Sequence, residues 1–169
     1  MADPVTEFEQ YRKELLAALA DDDPVAVMQT TLDEVPRLVA TASVEQMNRS
    51  PAPGEWSPRQ VLNHLSDSDL VFGTRIRMIV TQDRPTIVGY DQDAWTERFG
   101  SLDATPQDTI DRWQTLRRAN LRLMQSLSPQ EWNRVGLHSE RGPESVRLNV
   151  QLLAGHDRMH LDQFRQGLR

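Results

Sequence analysis

Apolar residues recur every three or four positions along most of this chain, which is the spacing of amphipathic helices. Residues 5–20 show the pattern first, and this predicted helix ends in an acidic run at residues 21–23. A second helix is predicted from Pro24, with Asp23 as its N-cap and proline at the first helical position. Pro36 lies inside the second pattern, and it predicts a kink or a break near that point.

The clearest helix start follows a predicted loop at residues 51–54. Ser57 stands at the N-cap, Pro58 at the first helical position and Gln60 at the third, as in a capping box. We expect this helix to end near Asp83. Its buried face is predicted from seven residues at helical spacing, namely Val61, His64, Leu65, Ser68, Phe72, Ile76 and Ile79.

Two more long helices are predicted in the second half of the chain. One covers residues 106–127 and begins after Thr105, and the last begins at Ser145. Residues 85–104 lack periodicity and are predicted to form a long loop, of the kind that is often functional. Residues 134–143 are irregular and have room for a short hairpin. Long amphipathic helices without a convincing strand predict a helical bundle.

Composition and charge exclude several classes of protein. The 169 residues have the length of one domain and include no cysteine, which excludes disulfides, zinc–thiolate sites, iron–sulfur clusters and a cysteine nucleophile. The net charge of −6 argues against nucleic acid as a partner. We interpret the basic residues of the 106–127 helix as a solvated face; they are Arg112, Arg117, Arg118 and Arg122.

The hydropathy pattern also bears on localisation. The sequence contains no run of 18 apolar residues, the length that would predict a membrane-spanning helix. We therefore expect no membrane association. The N-terminal segment MADPVTEFEQ is acidic and does not resemble a signal peptide. We therefore expect a cytoplasmic protein.

The histidines are the candidates for chemistry. His156 and His160 form the sequence HDRMH, and four helical residues correspond to about 400° of rotation and a rise of about 6 Å. Both imidazoles therefore project from one face, where they can converge on one metal ion. They continue the apolar stripe of the last helix, and His64 lies in the apolar stripe of another, so all three are expected to face the interior.

Three buried imidazoles without partners would be costly, whereas one divalent cation satisfies all of them. A site with three histidines leaves positions open for water or substrate, which is the catalytic arrangement. The alternative is that these are ordinary core histidines with hydrogen-bond partners. The fourth histidine, His138, lies in a polar stretch, and we interpret it as a solvated loop residue.

The HDRMH sequence differs by one methylene from the HExxH of zinc peptidases, whose third ligand usually comes from beyond the second histidine. Only nine residues follow His160, and none is histidine or glutamate. Asp162 is too close along the helix to be that ligand. Asp157 is about 100° around the helix from His156 and is expected to face away from a metal. A peptidase is therefore not expected.

Two segments carry a resemblance to a known family. They are EWSPRQVLNHLSD at residues 55–67 and LLAGHDRMHLDQF at residues 152–164, with shorter similarities at 89–95 and 141–143. Over roughly residues 24–166 the chain resembles the DinB/YfiT-like superfamily. The tryptophan–serine helix start, the first histidine and the final HxxxH occur in the same order as in that family.

The resemblance implies an all-α fold, an up-down four-helix bundle at residues 23–169 with a short helical extension at residues 1–22. It implies a homodimer and a nickel- or zinc-type divalent ion, for which the ligands carried over are His64, His156 and His160. It also implies a metal-dependent enzyme that acts on a small-molecule substrate, either a hydrolase or a transferase with a low-molecular-weight thiol as cosubstrate. The alternative is a non-catalytic dimeric binding or stress-response protein with a structural metal.

No catalytic residue is assigned, but four residues are candidates for the pocket or for support of the ligands. Asp69 lies five residues after the first histidine, where the family often has an acidic residue. Gln163 is three residues past His160 on the same helix face. Tyr90 and Trp95 belong to the predicted long loop, and they either cover the site or anchor that loop to the bundle.

Overall fold

A computed structural model describes residues 4–169 of the chain, with side chains from residue 8 onward. Within that range the elements follow in the order α1 (Pro4–Leu19), α2 (Pro24–Thr41), α3 (Val44–Asn48), α4 (Pro58–Thr81), β1 (Thr86–Ile87), α5 (Gln92–Phe99), α6 (Pro106–Ser126), α7 (Pro129–Trp132), β2 (Val135–His138), β3 (Gly142–Ser145) and α8 (Val146–Gly167). No helix of the described part is long and apolar enough to cross a membrane.

The long helices α2, α4, α6 and α8 form a bundle around one apolar core. α2 packs against α6 and α8, and α4 packs against the same two helices. Consecutive bundle helices α2 and α4 therefore occupy opposite corners, as do α6 and α8. All four helices contribute buried side chains to the core, among them Met28, Val35, Leu62, Ile76, Trp113, Met124, Leu153 and Phe164. The predicted all-α four-helix bundle is confirmed.

The helix starts follow the local sequence. Ser57 and Gln60 form the predicted capping box of α4, in which the Ser57 backbone N–H donates to Gln60 Oε1 at 2.9 Å. Asp23 caps α2 through its carboxylate, which accepts the N–H of Ala26 at 2.8 Å. α2 continues through Pro36, so the predicted break is absent. The apolar face of α2 is buried on both sides of this proline, and that packing outweighs the one backbone hydrogen bond that proline removes.

The prediction of one long loop at residues 85–104 is wrong in part, because this segment contains the short strand β1 and the short helix α5. β1 pairs in parallel with β2, with Ile87 opposite His138, and α5 begins after Asp91, whose carboxylate accepts the N–H of Ala94 at 2.9 Å. A two-residue strand has no periodicity of its own, and it forms because β2 is there to pair with it. The hairpin predicted within residues 134–143 is confirmed, since β2 and β3 pair antiparallel.

α1 lies along α8, and a glycine allows the two helices to approach closely. A Cβ atom added to Gly155 would lie 2.0 Å from the carbonyl oxygen of Leu15. Arg158, one turn further along α8, donates to the carbonyl oxygen of Ala18 at 2.9 Å. The N-terminal helix is therefore packed onto the bundle, while the predicted domain boundary between residues 22 and 23 stays a prediction.

We expect Gly155→Ala to lower the free energy of unfolding by about 1–2 kcal/mol. Overpacking of a tight contact typically costs about 1–3 kcal/mol, which exceeds the gain of at most about 1 kcal/mol in helix propensity. Urea unfolding of the two proteins measures the difference. A variant as stable as the wild type would show that α1 is not seated against Gly155.

Candidate metal centre

Three imidazoles meet between α4 and α8. His64 on α4 and His156 and His160 on α8 have ligand nitrogens that all lie within 4.8 Å of one another. The Nε2 atoms of His64 and His156 are 2.8 Å apart. Two nitrogens at about 2.0–2.1 Å from one cation, and about 90° apart around it, would be separated by about 2.9 Å. The cluster therefore has the dimensions of a metal site.

Gln163 orients one of these imidazoles. His160 Nδ1 lies 2.7 Å from Gln163 Oε1, and an amide oxygen can only accept, so Nδ1 carries the proton and donates it. Nε2 of His160 is then left with a free lone pair. Metal-binding histidines are commonly held in this way by a hydrogen bond from the other ring nitrogen. Of the four candidate pocket and support residues, Gln163 is the one for which the described part of the chain shows a hydrogen bond to the cluster.

The three imidazoles are neutral at pH 7. Burial and, to a smaller extent, the proximity of His160 together lower the pKa of His64 to about 3. Burial likewise lowers the pKa of His156 well below 6.5 and also lowers that of His160. His156 Nδ1 is buried and has no hydrogen-bond partner among the described residues. Neutral imidazole is the form that binds a cation, so the residues present fit a divalent ion.

In the metal-free protein, acid should weaken the fold through His64. Its pKa is about 3 when folded and about 6.5 when unfolded, so the unfolded chain binds the extra proton between these values. The stabilisation is complete above pH 6.5 and decreases by about 1.4 kcal/mol per pH unit as the pH falls toward 3. Urea unfolding from pH 6 to pH 4 should therefore show a steeper loss for the wild type than for His64→Gln. Equal slopes would contradict the buried neutral state of His64.

Trp56 covers part of the cluster. Its ring centroid is 4.8 Å from that of His64 and 6.1 Å from that of His160, and it is nearly parallel to the His160 ring at 17°. The residue precedes the N-cap of α4, so the capped helix start fixes it over the histidines. A pocket of about 270 Å³ opens beside it, lined by Gly54, Glu55, Trp56, Asp93, His160 and Gln163.

A second pocket, of about 120 Å³, has His156 in its wall and shares no lining residue with the first. Tyr90 lines it, and the Tyr90 hydroxyl is 3.4 Å from Ser68 Oγ. Trp95 packs against Tyr90, with ring centroids 4.8 Å apart. Tyr90 therefore faces this pocket, and Trp95 holds Tyr90 in place.

Asp69 belongs to a buried ionic network that also includes the neighbour of His156. The side chains of Asp69, Arg117 and Asp157 are fully buried. Arg117 Nε donates to both carboxylate oxygens of Asp69 at 2.8 and 3.0 Å, and its Nη2 donates to Asp157 Oδ1 at 2.8 Å. Trp113 Nε1 and Asn120 Nδ2 donate to Asp69 as well. Asp157 thus points into this network rather than toward the histidines.

The interpretation of the α6 arginines as a solvated face is therefore wrong for Arg117. Arg118 and Arg122 are exposed, and Arg112 is half-buried and pairs with Asp103 at 2.9 Å. Burial alone would lower the pKa of Arg117, but the two carboxylates raise it, so the guanidinium remains charged. A buried arginine is tolerated here because both acidic partners are buried with it.

The prediction of a solvated loop for His138 is also wrong. His138 is 3% exposed and lies at the end of β2, where it shares the buried side of the strand with Gly136. Its Nδ1 accepts the backbone N–H of Glu140 at 3.2 Å. Burial, with a smaller effect of the charge of Arg141, lowers the pKa of His138 to about 4. The strand pairing buries a residue whose neighbours in sequence are polar.

The family model of the DinB superfamily matches residues 28–164. The chain belongs to this superfamily. Among curated proteins similar to this chain, a protein of Oceanobacillus iheyensis named "Putative metal-dependent hydrolase OB0782" is 28% identical over 134 residues, which cover 77% of each chain. The Bacillus subtilis protein named "Putative metal-dependent hydrolase YfiT" is 26% identical over 137 residues, 81% of this chain and 76% of its own.

A solved structure shows the same fold. YfiT from Bacillus subtilis, described as "a probable metal-dependent hydrolase with an unusual four-helix bundle topology", superposes with a TM-score of 0.79. The superposition covers 85% of this chain and 83% of that one at 23% sequence identity. The likeness concerns the arrangement of helices, and it agrees with the bundle described above.

Sequence reasoning missed three residues of this DinB-superfamily site. Trp56 lies in the segment that carries the family resemblance, but it stands before the helix and outside its periodic stripe. Arg117 stands four residues after the buried Trp113, a spacing that could have indicated its burial. Arg75 likewise follows Phe72 by three residues on the inner face of α4. Arginine is rarely buried, which explains why Arg117 was interpreted as solvated and why Arg75 was not considered.

Proposed function

We propose that this DinB-superfamily protein is a metal-dependent hydrolase that holds one divalent cation, nickel or zinc, at His64, His156 and His160. The observation that carries the proposal is the convergence of three neutral imidazoles, two of whose nitrogens are 2.8 Å apart. Pockets beside His156 and His160 leave room for water and substrate, as expected of an open catalytic site rather than a closed structural one. Both curated relatives described above are named as putative metal-dependent hydrolases, which supports the proposal.

A divalent cation in such a site lowers the pKa of a bound water to about 7 and so supplies a nucleophile for hydrolysis at neutral pH. The chain's own residues prepare the site. Gln163 Oε1 accepts a hydrogen bond from Nδ1–H of His160 and thereby keeps the lone pair of Nε2 available. Trp56 covers His64 and His160 and limits access of water from its side. The ion pair of Asp157 with Arg117 fixes the turn of α8 that carries His156.

The test is hydrolysis of chromogenic ester and amide substrates by metal-free protein to which Zn²⁺ or Ni²⁺ is added back. The wild type should hydrolyse at least one substrate in a metal-dependent way, and His156→Ala should lose about 100-fold or more of that rate. Arg98→Gln, which changes an exposed side chain outside the cluster and outside both pockets, is the control and should retain the activity. Circular dichroism confirms that each variant is folded. Metal-dependent hydrolysis of equal rate in wild type and His156→Ala would contradict the proposal.

A second candidate is transfer to a low-molecular-weight thiol, and the two separate pockets favour it. One pocket adjoins His156 and the other adjoins His160, which gives two substrates access to one site. Since the chain has no cysteine, the thiol has to come from a cosubstrate. Incubation of the metal-loaded protein with cysteine or glutathione and a chloronitrobenzene electrophile tests it. Conjugation that needs the metal and all three histidines supports transfer, and hydrolysis without any effect of thiol supports the hydrolase.

We also propose that the protein is a homodimer, which the family resemblance supports. Light scattering measures this directly, since one chain has a mass of 19.4 kDa. A mass near twice that value across micromolar concentrations is the expected result. A mass of one chain throughout would contradict the dimer without affecting the proposed chemistry.

A further inference from the structure

The pocket that contains His156 also contains a buried arginine. Arg75 lies on α4 eleven residues after His64, and the helical repeat puts Ser68, Phe72 and Arg75 on the face that His64 begins. The residue is only 5% exposed, yet it is part of the pocket wall. The face of α4 that carries a histidine of the cluster therefore presents a cation to the pocket that adjoins this cluster.

Arg75 has more donors than its surroundings have acceptors. A guanidinium carries five N–H groups. Nη2 donates to the carbonyl oxygen of Val88 at 3.0 Å, whereas Nε is buried and has no hydrogen-bond partner in the described part of the chain. The stacking of the guanidinium over the Phe72 ring, 5.1 Å from its centroid, satisfies no N–H group.

The other polar neighbour of Arg75 is a donor too. His138 Nε2 lies 3.5 Å from Arg75 Nη2. Because His138 Nδ1 accepts the N–H of Glu140, the proton of the neutral ring is on Nε2. Two N–H donors therefore face each other with no acceptor between them. An anionic oxygen beside them would satisfy both.

The charge of Arg75 is not neutralised by an ion pair. Over the described residues, no carboxylate lies within 4.0 Å of its guanidinium. Glu140 lines the same pocket but is exposed, so water solvates its carboxylate. Arg141 is paired with Glu144 at 2.7 and 2.9 Å. Burial of an unpaired cation is costly, and a bound anion offsets that cost.

We propose that Arg75 binds the carboxylate of the substrate, so that this pocket accepts a small carboxylate-bearing molecule. The inference rests on the proposed function and narrows its substrate class. A planar guanidinium suits a planar carboxylate, to which it can donate two hydrogen bonds. The aromatic wall of the pocket contacts the apolar part of the ligand; it consists of Phe8, Tyr11, Phe72 and Tyr90. The volume of about 120 Å³ is below the roughly 150 Å³ that accommodates the six heavy atoms of benzene, so the enclosed part of the ligand has at most about six heavy atoms.

The test uses butyrate as the probe and the metal-free wild-type protein, observed by NMR at the Nε–H of Arg75. Butyrate at tens of millimolar should shift this resonance in a saturable way. The uncharged butanamide has the same shape and should leave it unchanged. A resonance that butyrate does not move, or that butanamide moves equally, would overturn the assignment. Inorganic phosphate is a further probe, and a shift with phosphate but none with butyrate would also overturn the carboxylate assignment.

Variants test the same interaction by titration calorimetry. Arg75→Gln removes the charge and should weaken butyrate binding about tenfold to 100-fold, which is the usual effect of losing a charged hydrogen-bond pair. Arg98→Gln removes an exposed arginine that is absent from the pocket wall and should bind butyrate like the wild type. Equal binding to Arg75→Gln and wild type would overturn the proposal. If Arg75→Gln does not fold, the NMR titration of the wild-type Arg75 Nε–H with butyrate and butanamide is sufficient to test the proposal.

The failure of this inference is distinguishable from the failure of the proposed function. Butyrate binding is measured without metal, so it does not depend on occupancy of the histidine cluster. Saturable binding at Arg75 in a protein that shows no metal-dependent hydrolysis would support the anion site and contradict the hydrolase. Metal-dependent hydrolysis without butyrate binding would support the hydrolase and contradict the role of Arg75.

Discussion

Replacement of Arg117 by methionine should cost about 3–5 kcal/mol of the free energy of unfolding, the usual effect of breaking a buried ion pair. Asp69 and Asp157 are both fully buried, and Arg117 is the cation that hydrogen-bonds to both of them. Without it, two carboxylates would share the core with no positive charge between them. Since domains of this kind are stable by about 5–15 kcal/mol, urea unfolding should show a large shift in the midpoint.

The pH dependence of the free energy of unfolding of Arg117→Met tests whether unpaired buried carboxylates cause this loss of stability. Burial raises the pKa of Asp69 and that of Asp157, so without the arginine these carboxyls should protonate in the folded state above their unfolded pKa of about 3.9. Folding then gains stability as the pH falls from 7 toward 5, because the folded state binds the extra protons. Arg117→Met should therefore recover part of its lost stability relative to the wild type in acid. A variant within 1 kcal/mol of the wild type at pH 7 would contradict the network.

Addition of Zn²⁺ or Ni²⁺ should raise the melting temperature of the wild type by about 5–10 °C. A ligand that binds only the folded state adds about 2.7 kcal/mol at 100 times its dissociation constant, and for a chain of this size that corresponds to several degrees. His160→Ala should lose most of this shift, since it removes one of the three nitrogens. Differential scanning calorimetry with and without the metal gives both values.

His138→Ala is the matched control for that experiment. His138 is buried, so its replacement lowers the melting temperature of the metal-free variant, but it lies outside the cluster of His64, His156 and His160. The shift on adding metal should therefore equal that of the wild type. The wild-type shift should persist as the pH falls through 6.5, because burial keeps the folded imidazoles neutral below that value, and it should shrink only at lower pH, where protons begin to compete with the metal in the folded state. Equal shifts in the wild type and in His160→Ala would show that the cation binds elsewhere.

Local signals explain what the sequence predicted well. The serine–proline start of α4 and the threonine–proline start of α6 form capping boxes that depend on residues within one turn. The four-residue spacing of His156 and His160 depends only on helix geometry. His64 could be predicted to lie near these two residues because each histidine belongs to an apolar stripe, and the apolar stripes of bundle helices face one another.

The errors concern features that exist only through tertiary contact. β1 forms because β2 lies beside it, and His138 is buried for the same reason. In α6 the apolar Leu116 is half-buried, whereas its neighbour Arg117 is fully buried. The position of Arg117 is determined by Asp69 and Asp157, which lie 48 and 40 residues away along the chain. The apolar periodicity of α6 alone carries no information about the acidic partners of Arg117, which lie on α4 and α8.

The central claim is that His64, His156 and His160 bind one divalent cation, and elemental analysis of protein purified without an affinity tag tests it most directly. The wild type should carry about one nickel or zinc ion per chain, and His156→Ala prepared in the same way should carry essentially none. Equal metal content in both proteins, or a wild type that remains free of divalent metal even after incubation with excess Ni²⁺ or Zn²⁺ and removal of the unbound ion, would contradict the claim.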